Sequence, residues 1–436
     1  MWAAPNEPPG WALVIPGLRV MTGSVAVESR PSFRRVLHHR PFFLLWLSQL
    51  VSQSGDLVFE VALLWLVLGV TGSVFAVGIV VAVTLLPGVV LGPFLGVYVD
   101  RWDRRQILIF TNVVEGVVVA GLSGLLLAHT IGLPLILAVV FILGTGSQVV
   151  RTAANATVPL VIGKEDLGPA NSLMTFSSSF NQVVGLAVGG VVVALFGVNL
   201  PIEYDALSFF AAALILVGLS KASGRPSDAD RSNTPRFSEE FAQGIRFIRE
   251  NRFLIELIVL ASFLNFYGNA IGALFAPYSK LVLHGGAATY GFLGASVAIG
   301  AIVGAAIVGS SNTRQSSGKW VLVGGAVIGA AIVGLGFSTS IPVALLTIFV
   351  LGVALSIANI PISALIQAKV PPRLLGRVGA AMGSLIIVAG PAGAFFAGAF
   401  AEATSVQTVF MVFGGLFVAT IAIGALVMKE LRSVSY

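Results

Sequence analysis

Residues 42–70 read Phe42-Phe-Leu-Leu-Trp-Leu-Ser-Gln-Leu-Val-Ser-Gln-Ser-Gly-Asp56-Leu-Val-Phe-Glu60-Val-Ala-Leu-Leu-Trp-Leu-Val-Leu-Gly-Val70. As a helix rising about 1.5 Å per residue, this run is longer than the ~30 Å hydrocarbon layer of a bilayer. It carries no Lys or Arg, and its only charges are Asp56 and Glu60. A soluble helix buries one stripe and wets the rest, whereas this segment is apolar on all sides.

The pattern repeats outward from there. Of 436 residues, 56% are hydrophobic and 10% charged, against about 25% charged in soluble proteins. Further apolar spans fall at 74–97, 106–128, 133–157, 171–197, 202–220, 254–279, 288–310, 319–337, 342–366, 377–402 and 405–428, for twelve in all. The runs are continuous rather than alternating, which excludes a β-barrel. The predicted class is an all-α membrane protein, and a soluble enzyme is excluded. The net charge of +6 does not point to nucleic acid, because the cations sort by membrane side. Of the 25 Lys and Arg, 24 fall in the termini and loops of one side and only Lys280 in those of the other. By the positive-inside rule both termini are expected in the cytoplasm, in the inner (plasma) membrane, with an even number of crossings. Zero cysteines rule out disulfides and thiolate metal sites, and the four His show no ligand spacing; no cofactor or metal is expected.

The organisation reads as a basic arm (1–41), six spans (42–220), a polar linker (221–253), six more spans (254–428) and a short tail (429–436). In the linker, Phe237, Phe241, Ile245 and Ile248 recur at helical spacing, which predicts an amphipathic helix on the cytoplasmic membrane surface. A shift of 208 residues lays Ala156, Leu167 and Gly168 on Ala364, Leu375 and Gly376. Two pseudo-symmetric six-helix bundles related in this way place a binding site near the bilayer midplane, between the halves.

The loop after the second span reads Gly96-Val-Tyr-Val-Asp100-Arg101-Trp-Asp103-Arg104-Arg105. It resembles the Gly-x-x-x-Asp-Arg-x-Gly-Arg-Arg loop of the major facilitator superfamily, with Asp103 in place of the second glycine. That departure resembles the macrolide-efflux and secretion-effector branch. So do Asn155-Ala-Thr-Val-Pro-Leu-Val-Ile-Gly-Lys-Glu-Asp-Leu, Gly244-Ile-Arg-Phe-Ile-Arg and Leu375-Gly376-Arg377-Val. The resemblance implies that Gly96, Asp100, Arg101, Arg104 and Arg105 form a cytoplasmic latch docking near Gly376; the alternative is plain topology-setting charge. It also likens Gly185, Gly189 and Gly190 in the fifth span to an antiporter motif whose proline is here Leu186. Gly390-Pro391 in the eleventh span could supply the kink instead. Both glycine sets have packing as their alternative role.

For transport chemistry the candidates are intramembrane acids. Asp56 lies near mid-depth of the first span and Glu60 one turn on, on the same face. Two carboxylates this close disfavour joint ionisation, so the pair is expected to exchange protons or contact a substrate cation; the alternative is neutral packing. Glu115 in the third span is a further candidate, with a structural bond to Asn112 or the loop arginines as its alternative. Glu256 is expected to be solvated. In the seventh span Asn265 and Asn269 share a face beside Phe266. The resemblance, in which the first, fourth, seventh and tenth spans line the cavity, adds Gln49, Gln53, Gln148 and Asn359. Amides, acids and rings together suit a small lipophilic, often cationic, substrate. The expected function is a proton-coupled exporter of lipophilic drugs such as macrolides, acting as a monomer. Its rivals are export of a siderophore or other endogenous metabolite, and a non-transporting sensor or scaffold.

Overall fold

The computed structural model describes residues 33–92, 94–95, 99, 102–128, 130–219, 237–310 and 317–427. Of the latch residues, Gly96, Asp100 and Arg101 lie outside these. A short helix α1 (Phe33–His38) leads into the first six crossings: α2 (Arg40–Thr71), α3 (Val74–Val90), α4 (Arg104–Leu127), α5 (Leu133–Val161), α6 (Leu167–Phe196) and α7 (Asn199–Val217). The linker helix α8 (Phe237–Glu250) precedes α9 (Arg252–Pro277), α10 (Ala287–Ser310), α11 (Ser317–Phe337), α12 (Ile341–Lys369), α13 (Leu375–Ile387), α14 (Ala389–Ala403) and α15 (Val406–Val427). Counting α13 and α14 as one crossing, eleven are long and apolar enough to span a bilayer, and α3, at 17 residues, is a shorter apolar twelfth. The chain is a multi-pass membrane protein, with twelve crossings among the described residues. Phe110, Leu195, Leu214 and Leu426, each at least 70% exposed, point outward, as lipid-facing side chains must.

Local chemistry sets the helix ends. Gly72 closes α2 with a left-handed φ of 64°, its N–H returning to the Leu68 carbonyl, a conformation glycine adopts without strain. The Ser73 hydroxyl then caps α3 by accepting from the Ala76 N–H at 3.1 Å. Asp103, the residue that departs from the superfamily loop, caps α4: its Oδ1 accepts from Arg105 N at 3.0 Å and Gln106 N at 3.3 Å. The eleventh crossing breaks between Ile387 and Ala389. Pro391 has no N–H to give the Ile387 carbonyl four residues back, so the helical ladder stops there.

The two halves repeat. Each puts a 3₁₀ turn, Lys164–Asp166 or Pro372–Leu374, just ahead of a helix beginning at Leu167 or Leu375, the same 208-residue offset read in the sequence. Between halves, α3 packs on α14 and α6 on α10, pairs that exchange when each crossing is advanced by six. Small residues make these contacts. A Cβ on Gly78 would lie 2.7 Å from the Ala394 carbonyl oxygen, and one on Gly190 2.7 Å from that of Ala287; the backbones approach this closely because glycine leaves room. Both contacts lie toward the end of the bundle that holds Lys280, opposite the basic end. There Lys280 Nζ sits 5.7 Å from the Trp65 ring centroid. Glu402 Oε2, at the end of α14, accepts from the free N–H groups of Val74 (2.7 Å) and Phe75 (3.2 Å).

At the basic end, α1 is tied down: Arg35 Nε lies 3.0 Å from Asp166 Oδ2. The amphipathic face of α8 meets protein rather than a membrane surface. Ile248 is buried, with Phe241 and Ile245 packed on the same core. A Cβ on Gly244 would lie 2.5 Å from the Arg377 carbonyl oxygen, and Arg377 Nη1 donates to Gln243 Oε1 at 2.6 Å. The side chain of Phe237 lies outside the described residues.

Candidate functional site

A hollow of about 510 Å³ lies at mid-depth between the halves. Asp56 and Glu60 of α2 reach it together, because positions four apart share a helix face. From the first half come Thr84, Gln148 and Gln182, and from the second Asn269, Gly272 and Tyr290. Among the described residues, no Lys or Arg lines it. Gln148 is held by Arg151, whose Nη2 donates to its Oε1 at 2.5 Å. Asn269 Nδ2 donates to Asn265 O at 2.8 Å and Asn265 Oδ1 at 3.2 Å, so the two amides are joined along one face of α9.

A second hollow, about 430 Å³, lies inside the first half. Gln49, Gln53, Asp56 and Glu115 line it, with Arg151 and Asn155. Glu115 is buried, and a Cβ on Gly146 would collide with its carboxyl group. Asn112 does not hold Glu115; its amide donates to the Leu108 carbonyl at 2.7 Å.

Other predicted residues lie elsewhere. Phe266 packs among rings, 5.3 Å from Tyr267 and 5.9 Å from Phe413 between centroids. Asn265, Phe266 and the exposed Asn359 line neither hollow. Gly185 and Gly189 press α6 on α2, where a Cβ would lie 2.8 Å from Leu57 Cβ and 3.0 Å from Val58 Cα, while Gly190 meets α10. A Cβ on Gly390 would come 2.8 Å from Asn265 Oδ1. Arg105 Nη2 donates to the Val217 carbonyl at the end of α7, 2.7 Å away, and Arg104 opens α4 beside it. Gly376 sits in the first turn of α13 with open space around it. Glu256 is not solvated: its side chain is 11% exposed and pairs with Arg252 at 3.1 Å.

One acid escapes a reading of the sequence. Asp205 of α7 is fully buried, and neither carboxyl oxygen has a hydrogen-bond partner among the described residues. The nearby Ser208 hydroxyl donates to the Asp205 backbone carbonyl at 2.8 Å. A Cβ on Gly55 would lie 2.5 Å from Asp205 Oδ1, so this carboxyl sits directly behind the residue preceding Asp56. Its place in the sequence offered little signal, because the span read there begins at 202 and puts Asp205 in its first turn, whereas α7 begins at Asn199. Tyr290 was likewise unread, because only the packing of α10 on α6 brings it to the hollow. Among the described residues these acids do not converge into a metal-holding group.

Known proteins share this architecture. The solved nucleoside transporter NupG superposes with a TM-score of 0.71 at 13% identity, over 89% of this chain and 99% of that one. Macrolide efflux protein A of Streptococcus pyogenes is 27% identical over 400 residues, covering 90% of this chain and 96% of that protein. Multidrug efflux pump Tap of Mycobacterium tuberculosis is 26% identical over 388 residues, covering 85% and 89%. Residues 34–434 match the transmembrane secretion effector family, and with twelve crossings in two repeated halves about a central hollow, the chain belongs to that family, within the major facilitator superfamily.

Proposed function

We propose that this protein exports lipophilic drugs such as macrolides in exchange for protons, by rocking residues 42–220 against 254–428. The carrying observation is that Asp56 and Glu60 stand on the wall of a hollow between the halves that is joined over at its Lys280 end. With the basic end in the cytoplasm, that arrangement is an inward-facing state awaiting cargo. A hollow of this size falls within the range of small-molecule sites. Apolar walls and acids with no cation opposite favour neutral or positively charged cargo, and an anionic siderophore would meet no countercharge there. The names of the two relatives, a macrolide efflux protein and a multidrug efflux pump, support the same cargo class.

The cycle follows from competition for one pair of acids. Cargo or protons satisfy Asp56 and Glu60, and neither is comfortable ionised and alone in a low-dielectric site. Purified protein in liposomes carrying an imposed proton gradient should accumulate a macrolide, and Asp56→Asn and Glu60→Gln should each lower gradient-driven uptake at least tenfold while leaving expression intact. Full uphill transport by both variants would sink the coupling. A chain that binds macrolide yet moves neither drug nor protons would instead be a sensor.

A further inference from the structure

The hollow inside the first half plays no part in that cycle as described. Among the described residues, all of its lining comes from α2, α4, α5, α6 and α7, and none from the second half. It touches the central hollow at two shared residues, Asp56 and Ser147. Its remaining walls are polar to an extent the central hollow is not, with Gln53, Arg151, Asn155, Thr175 and Ser178 among them. Gln49, only 7% exposed, lines this space, and its Nε2 has no hydrogen-bond partner among the described residues. A space this polar and large enough for several waters is one that water fills.

We propose that this hollow is a water-filled proton route between the basic end and Asp56, separate from the cargo's hollow. The proposal rests on the proton-coupled reading above. With the Lys280 end shut, protonated Asp56 gives its proton to a water in the first-half hollow. The carboxylic O–H bond breaks and a new one forms on the water, leaving a carboxylate and a hydronium ion that departs through the polar walls. The titratable and charged neighbours are Glu60 on the same helix, Glu115 of α4, Asp205 of α7, Tyr290 of α10 and, toward the basic end, Arg151 of α5. The four carboxyl groups, Asp56 among them, disfavour joint ionisation. Cargo bulk in the central hollow then does not obstruct proton release, since Asp56 is reached from its other side.

The chain's lack of cysteine makes the test direct. Ser178→Cys puts a single thiol in the first-half hollow and Gly272→Cys one in the central hollow, where a Cβ meets open space. Each variant is reconstituted in liposomes and then alkylated with a bulky maleimide, so the unlabelled variant sets its reference rate. Radiolabelled erythromycin reports binding and an entrapped pH dye reports proton flux. Alkylated Ser178→Cys should bind erythromycin within twofold of its reference while erythromycin-driven proton flux falls at least tenfold. Alkylated Gly272→Cys should lose erythromycin binding. Undiminished flux after alkylation at Ser178→Cys, or loss of binding there, overturns the separate route. Absence of any erythromycin-driven flux in the unaltered chain overturns the coupled reading, and the route with it.

Discussion

At Gly55 the absence of a side chain lets an acid of α7 stand behind an acid of α2. A Cβ there would lie 2.1 Å from Ser208 Oγ and 2.5 Å from Asp205 Oδ1, so both side chains would have to shift. Gly55→Ala should therefore cost about 1–3 kcal/mol, the usual penalty for overpacking a filled core, read as a lower melting temperature of the detergent-purified protein. Adding Ser208→Ala should restore part of the loss, a coupling expected of residues in contact. Asp56 and Glu60 were legible in the sequence because an acid at mid-depth of an oily run has few harmless explanations. Asp205 was not, since it follows Glu203 and Tyr204 near the start of its span, where an acid reads as belonging to the helix end. Phe266 misled in the opposite sense: three residues before Asn269, it stands only about 60° away around the helix, yet its ring packs against Phe413 of α15 and lines neither hollow.

Among the elements, α8 gives the clearest contrast between pattern and packing. Its spacing of apolar residues is that of a helix lying on a lipid surface, and the same spacing serves a helix docked on protein; nothing in 237–250 separates the two. Gly244 does in three dimensions, since it lets the backbone of α8 settle on the backbone of α13. Gly244→Val should lift the linker helix from this seat, and amide hydrogen exchange over 237–250 should quicken about tenfold or more, equivalent to a loss of about 1.4 kcal/mol. The break in the eleventh crossing was legible from Gly390-Pro391, because proline's missing donor acts locally. The two 3₁₀ turns 208 residues apart were half legible: three matching residues marked the place, while the turn itself depends on Pro372 in one half and on Asp166 meeting Arg35 in the other.

For the whole molecule, the crossings were legible from the length of the apolar runs, and the alternation of cations between loops checked their number, because one missed helix would have scattered charge onto both sides. What joins the halves was beyond sequence reading: the seam depends on Gly78 finding Ala394 and Gly190 finding Ala287, residues 316 and 97 positions apart. Glu402 is part of this seam. Its carboxylate holds two free N–H groups of α3 at the positive end of that helix. Glu402→Gln keeps an acceptor but loses the charge, a difference of roughly 1 kcal/mol or less. The balance should move about two- to fivefold toward opening at the Lys280 end. With Gly272→Cys as reporter, an impermeant maleimide added on that side should label faster by this factor, and equal labelling with and without Glu402→Gln would show the contact to be ornamental.

The glycine contacts at Gly78 and Gly190 have a thermal consequence. A seam shut by main chain against main chain covers little hydrocarbon and freezes few rotamers, so parting it changes heat capacity only slightly. The enthalpy of the exchange should then hold nearly constant between cold and warm membranes, so that the logarithm of the ratio of the two conformers runs as a straight line against reciprocal temperature.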